Sequence, residues 1–196
     1  MYKKISVPEN ELEDAITELL EYCDVKFEEG ELGKTKFSSP VSEEEIEAWE
    51  KENGVKIPES YKQWLRFTGD CIIDGTTAEF YSPKNFRTEY VPEDLVIIGE
   101  QTGDGEVVCF SKEMGNIVSF FEGSVNFEYE TFDKVLKEVL RMMGKKEPRD
   151  INKVIKRLTK LKNLYESELD GSEEDKNRLL KIEELNKLIS EREAQR

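Results

Sequence analysis

The chain has 196 residues, with 44 Asp or Glu against 29 Lys or Arg, three cysteines and no histidine. That length allows one domain, or one domain with an appendage. The lack of histidine removes the commonest general base and the commonest transition-metal ligand, and three scattered cysteines with no CxxC pair make a poor zinc site.

In chain order, Leu12, Ile16, Leu19, Leu20 and Cys23 recur at helical spacing and predict a first helix over residues 9–23. The following DVKFEEGELGKTKFSS, with two glycines, reads as loop or weak strand. Ser42 and Glu45 form a capping-box pattern that opens a second helix. Ile46 and Trp49 lie on its buried face, and Asn53-Gly54 stops it. Glu43, Glu44, Glu47, Glu50 and Glu52 are assigned to its wet side. Pro58 then opens a third helix that buries Tyr61, Trp64 and Leu65.

From Cys71 the pattern becomes β-rich: CIIDGTTAEFYS, DLVIIGEQTGDGEVVCFS and GNIVSFFEG. Residues 102–105 read as a hairpin turn between Leu95–Glu100 and Val107–Phe110, and Met114-Gly115-Asn116 as another. YETFDKVLKEVLRMM is an amphipathic helix, with Thr131 as its cap and Phe132, Val135, Leu136, Val139, Leu140 and Met143 inward. This order predicts an α+β fold: N-terminal helices, an antiparallel β-meander sheet covered on one face by helices, and a closing helix. The tail repeats apolar residues from Ile151 to Ile189 with a break at Asp170-Gly171. It reads as a C-terminal helical hairpin, or as a segment that completes a bundle with another chain. The expected division is a domain over 1–147 and a helical extension over 148–196.

Charge is unevenly placed. Residues 150–196 carry 11 basic and 11 acidic side chains, so the rest of the chain holds the whole net charge of −15. Residues 70–130 hold 13 acids against Lys84, Arg87 and Lys112. Such a field repels nucleic acid and anionic membranes and attracts a basic partner. Cys23, Cys71 and Cys109 read as buried free thiols, with a disulfide or a reactive thiol as the alternative. The N-terminus lacks a signal-peptide pattern and no apolar run approaches a membrane span, so a cytoplasmic location is expected. Gly103-Asp104-Gly105 lacks the Lys-Ser/Thr ending of a phosphate loop, and no GxSxG, Ser–His or Cys–His arrangement is present. No catalytic residue, metal ligand or cofactor is expected.

VSEEEIEAWEKENGVKIPESYKQWLRFTGD resembles the signature of the SUKH superfamily of Smi/Knr-like domains, at Ile46, Glu50, Gly54, Ile57, Pro58, Tyr61, Leu65 and Gly69. DLVIIGEQTGDGEVVCFS is similar to the family's hairpin, NIVSFF to its next strand and ETFDKVLKEVL to its closing helix. The resemblance implies a non-catalytic interaction module. In bacteria it implies an immunity protein that neutralises a cognate toxin domain, often a nuclease or deaminase. A basic, phosphate-holding active site suits an acidic plug. The expected partner is such a toxin, with no direct nucleic acid and no membrane. The expected binding patch lies on the sheet and its loops: Asp70, Asp74, Glu79, Glu89, Asp104, Glu106, Glu122 and Glu128, with Tyr81 and Tyr90 as anchors. Two rivals stand beside it. One is a scaffold that recruits a cellular partner, or a second copy, through the tail. The other is a small-molecule binder or enzyme that uses carboxylates in a pocket.

Overall fold

A computed structural model describes residues 2–30, 33–75, 77–101, 105–144, 151–169 and 175–194. They contain six α-helices: α1 Glu13–Glu29, α2 Glu43–Asn53, α3 Glu59–Leu65, α4 Phe132–Met142, α5 Ile151–Ser167 and α6 Asp175–Glu193. The strands are β1 Lys36–Phe37, β2 Cys71–Ile73, β3 Ala78–Phe80, β4 Leu95–Gln101, β5 Glu106–Ser111, β6 Ile117–Phe121 and β7 Ser124–Tyr129. They form one antiparallel sheet in chain order, β1 to β7, the expected meander. The fold is α+β with a C-terminal helical part.

The chain divides into two compact units, Met1–Asp24 with Leu32–Lys145, and Val25–Glu31 with Lys146–Arg196. In the first unit, α2, α3, α4 and the first part of α1 bury their apolar faces on one side of the sheet. Phe132 stands at the centre: its ring lies 4.8 Å from Tyr61, 4.9 Å from Phe80 and 5.4 Å from Trp64. Trp49 packs at the margin of this core, 5.1 Å from Phe86. Burying rings of this size supplies much of the driving force for folding.

Local sequence explains the helix ends. Ser42 Oγ accepts from Glu45 N at 3.2 Å and Glu45 Oε2 accepts from Ser42 N at 3.1 Å, the anticipated capping box. Gly54 closes α2 at φ 65°, a conformation in which a Cβ would be strained. Thr131 occupies the N-cap of α4, but its hydroxyl donates to the Asp133 carboxylate instead of accepting a backbone N–H.

Three readings of the sequence are corrected. The first helix continues through DVKFEE to Glu29, with Val25 and Glu28 buried on it. Glu50 is not on the wet side of α2: it is 5 % exposed. It sits one turn after Ile46 and accepts hydrogen bonds from Ile57 N at 3.0 Å and Lys56 Nζ at 2.5 Å, with Lys62 Nζ at 2.8 Å. That carboxylate fastens α2 to the loop and helix that follow. Finally, β7 was not anticipated as a strand, and residues 124–128 are all exposed.

In the second unit, α5 and α6 pack through Val154, Leu158 and Leu185. Glu28 and Arg192 form a bidentate pair there, at 2.6 and 2.9 Å, both nearly inaccessible to solvent.

Candidate interaction surface

The inner face of the sheet is filled by helices, so the other face decides what the sheet can present. Directly opposed residues in antiparallel strands share a face. The register therefore defines one row across all seven strands: Lys36, Ile72, Glu79, Glu100, Val107, Phe120 and Val125. This outer face carries its own small core of Leu95, Ile97, Cys109, Val118 and Phe120, with Tyr81, Val91 and Val107 packed against it.

The segment between β3 and β4 shapes this face. Its start is anchored by Asp70, whose carboxylate accepts from Ser82 N at 2.8 Å, Ser82 Oγ at 2.9 Å and Asn85 Nδ2 at 2.9 Å. Burial pushes the Asp70 pKa up, but these hydrogen bonds and Lys84 outweigh it and hold the carboxyl below its ordinary value. The chain then returns to the sheet where Arg87 and Ile97 exchange backbone hydrogen bonds at 2.7 and 3.3 Å. The Tyr61 hydroxyl donates to the carbonyls of Tyr81 and Ile98 at 2.8 and 3.0 Å, which fixes the segment from the core side.

Arg87 stands in the middle. Its guanidinium donates to Glu100 and, at 3.0 Å, to the Tyr81 hydroxyl. The hydrogen bond to Glu100 raises the Arg87 pKa, while burial, followed by the charge of Glu100, raises that of Tyr81. Two depressions flank this cluster. One, of about 540 Å³, is lined by Lys36, Asp70, Ile72, Glu79 and Tyr81 among others. The other, of about 730 Å³, is lined by Glu89, Tyr90, Glu100, Phe120 and Glu122 around Arg87.

The anticipated residues therefore divide. Asp70, Glu79 and Tyr81 border the first depression, and Glu89, Tyr90 and Glu122 the second. Glu128 is opposite Val118, on the same outer face. Glu106 is opposite Gln101, on the helix-covered side. Burial, then the charges of Glu138 and Glu106, push the Tyr129 hydroxyl up there. Asp74 sits in the β2–β3 turn, where its carboxylate accepts from Gly33 N and its own N–H donates to Thr35 Oγ1 at 2.9 Å. Asp104 lies outside the described residues. Arg87, Glu100, Phe120 and Val125 were not anticipated.

Among the described residues, three other than glycine adopt a positive φ: Asp74 at 50°, Tyr90 at 70° and Glu122 at 48°. The last two border the larger depression, and Tyr90 is fully exposed. Such a backbone costs about 1 kcal/mol or more for a residue with a Cβ. Neither side chain recovers that cost by packing into the core.

The three cysteines are buried and free, and burial pushes Cys23 and Cys109 up to about 12, so they are thiols and not thiolates at neutral pH. No group of three potential metal ligands is found among the described residues, and no helix there is long and apolar enough to cross a membrane. These elements make an α+β domain, a meander with one helix-packed face and one acidic face. Residues 40–138, from the entry to α2 through most of α4, match the SMI1 / KNR4 family (SUKH-1), and the chain belongs to that family. Comparison with curated proteins gave no match.

Proposed function

We propose that the chain is an immunity protein. It binds a cognate bacterial toxin domain, a nuclease or another toxin that acts on nucleic acid, and neutralises it without catalysis. Family membership supports the general role, since such domains are generally non-catalytic immunity proteins. The observation that carries the finer reading is the outer face. Glu89, Glu100 and Glu122 surround a single arginine, Arg87, already committed to Glu100, beside the fully exposed Tyr90. A toxin cleft that holds phosphates is cationic, and an acidic plug with an aromatic anchor complements it in charge and raises the rate of encounter. Residues 1–147 carry this activity in our reading, in the cytoplasm where the toxin acts.

The test is coexpression with the toxin domain encoded beside the chain's gene. Full growth protection by the wild type, lost on Glu89→Lys/Glu122→Lys, supports the reading. Undiminished protection by that variant contradicts it. A second reading, a scaffold acting through the tail, is favoured by Leu164, Leu169, Leu179 and Leu180, all exposed in the second unit. Leu179→Glu/Leu180→Glu leaves toxin protection intact if the first reading holds, and abolishes partner recruitment if the second does.

A further inference from the structure

The row across the outer face ends at β7, the last strand of the sheet, which is paired on one side only, to β6, among the described residues. An open edge offers unpaired backbone N–H and C=O groups to any extended chain. Proteins usually protect such edges by keeping them short, or with lysine, proline or a bulge. The opposite edge, β1, is protected in the first way, being two residues long. By contrast β7 runs for six residues with neither lysine nor proline, and of such devices it has only a bulge at Asn126 and the charge of Glu128. Its bulge leaves Asn126 unmatched, so that Val125 is opposite Phe120 and Phe127 opposite Ser119. One large apolar residue is thus offered to each face of the sheet, Val125 at 46 % exposure and Phe127 at 62 %.

The electrostatics select the occupant. Glu122, Glu128 and Glu130 lie in or beside β7, and no lysine or arginine occurs between Lys112 and Lys134. A second copy of this chain would bring three more carboxylates and no cation to the same ribbon. Like charges across a strand pair destabilise it. An extended segment bearing lysine or arginine would pair its backbone with β7 and its charges with those carboxylates.

We propose that β7 is a docking edge that receives a basic extended segment of the partner as an eighth strand, with Val125 and Phe127 as its apolar contacts. This rests on the immunity reading and gives it a geometry. Backbone hydrogen bonds supply affinity in such an addition, and alternate side chains supply specificity. An added strand also continues the outer row past Val125, beside the larger depression that Phe120 and Glu122 line.

The experiment uses the full chain and a capped ten-residue peptide that alternates lysine and valine. A second peptide of equal charge carries proline at alternate positions and cannot form a ladder. Amide chemical shifts and hydrogen exchange are followed at residues 124–129. The expected result is slowed exchange at alternate β7 amides with the first peptide, binding about tenfold weaker with the second, and loss of the effect in Glu122→Lys/Glu128→Lys. Equal binding of both peptides, or shifts that leave β7 untouched, overturns the docking edge. So do β7 shifts that follow protein concentration alone, which would put a second copy there. If the edge fails but growth protection stands, only the edge is refuted. If peptides occupy β7 but no toxin is neutralised, the edge is supported and the immunity reading falls.

Discussion

Glu79 on β3 and Glu100 on β4 are directly opposed across the outer face of the sheet, and only Glu100 is neutralised, by Arg87. Among the described residues no cation pairs with Glu79. A like-charge pair at opposed positions weakens a sheet. A residue that costs stability where it stands, on an open face beside an acidic groove, is expected where charge serves binding.

Replacing it separates the two effects. Glu79→Gln should stabilise the fold by about 0.5 kcal/mol, since it removes the repulsion and keeps the shape. Chemical denaturation reads that gain. Toxin association measured on the same variant should slow. A variant that is both less stable and undiminished in association would show that Glu79 has a structural role only.

Glu122 allows a second separation. With Gly123 at φ 86° and Glu122 at 48°, the β6–β7 connection is a two-residue turn with both residues left-handed, the type I′ pattern in which asparagine precedes glycine most readily. Glu122→Asn should raise stability by about 0.5–1 kcal/mol through easier adoption of the positive φ. It also removes one carboxylate from the groove. Thermal unfolding and toxin protection should therefore move in opposite directions. A lower melting temperature would contradict the turn assignment.

Glu50 predicts a dependence on pH. Burial pushes its pKa up, but hydrogen bonds from Lys56, Lys62 and Ile57 N prevail and the folded value lies below 4.5. A depressed carboxyl contributes stability that is complete above the unfolded pKa and is lost as pH falls through the folded one. The advantage of wild type over Glu50→Gln in urea should thus be full at pH 7 and shrink steadily below about pH 4.5. At neutral pH, Glu50→Ala should cost about 3 kcal/mol, because Lys62 and the Ile57 N–H lose their acceptor. A cost that persists unchanged at pH 3 would rule out the ionised form as its source.

In the second unit, Arg192→Ala removes the buried bidentate partner of Glu28. Loss of one partner of a buried pair costs about 3–5 kcal/mol, whereas an apolar replacement of both is close to neutral. Hydrogen exchange across α5 and α6 should accelerate in the single variant and recover in Glu28→Met/Arg192→Leu. No recovery would mean that the pair specifies the packing and does more than fill it.

Much of the first unit was legible because its signals are local. The capping box at Ser42, the left-handed Gly54 and the strict inward set of α4 from Phe132 to Met143 each follow from residues a few positions apart. What escaped depends on partners distant in sequence. Glu50 looked like one more surface acid, yet it shares a face with Ile46 and finds its donors beyond the Gly54 turn. The end of α1 looked irregular because Glu28 is paired with Arg192, 164 residues away.

For the surface, the sequence located the acids but not their faces. Asp70 and Asp74 turn out to be fastened to neighbouring segments, and Glu106 shares a face with the helices, because strand register assigns sides and register is not written locally. The bulge at Ile98 hid the row as well: Ile97 and Ile98 both pack, but on opposite faces, and Glu100 is thereby turned outward. In β7, Val125, Phe127 and Tyr129 do alternate with polar residues, a period-2 signal that was readable but short.

If the acidic outer face holds a toxin, as proposed, charge sets the speed of their encounter. The most direct measurement is the association rate of the toxin domain with wild type and with Glu79→Lys/Glu89→Lys/Glu122→Lys, across ionic strength. Steered association should be fast and should fall steeply with salt for the wild type, and the variant should bind at least tenfold more slowly with little dependence on salt. Equal rates at every salt concentration, with the toxin still neutralised, would contradict the proposal.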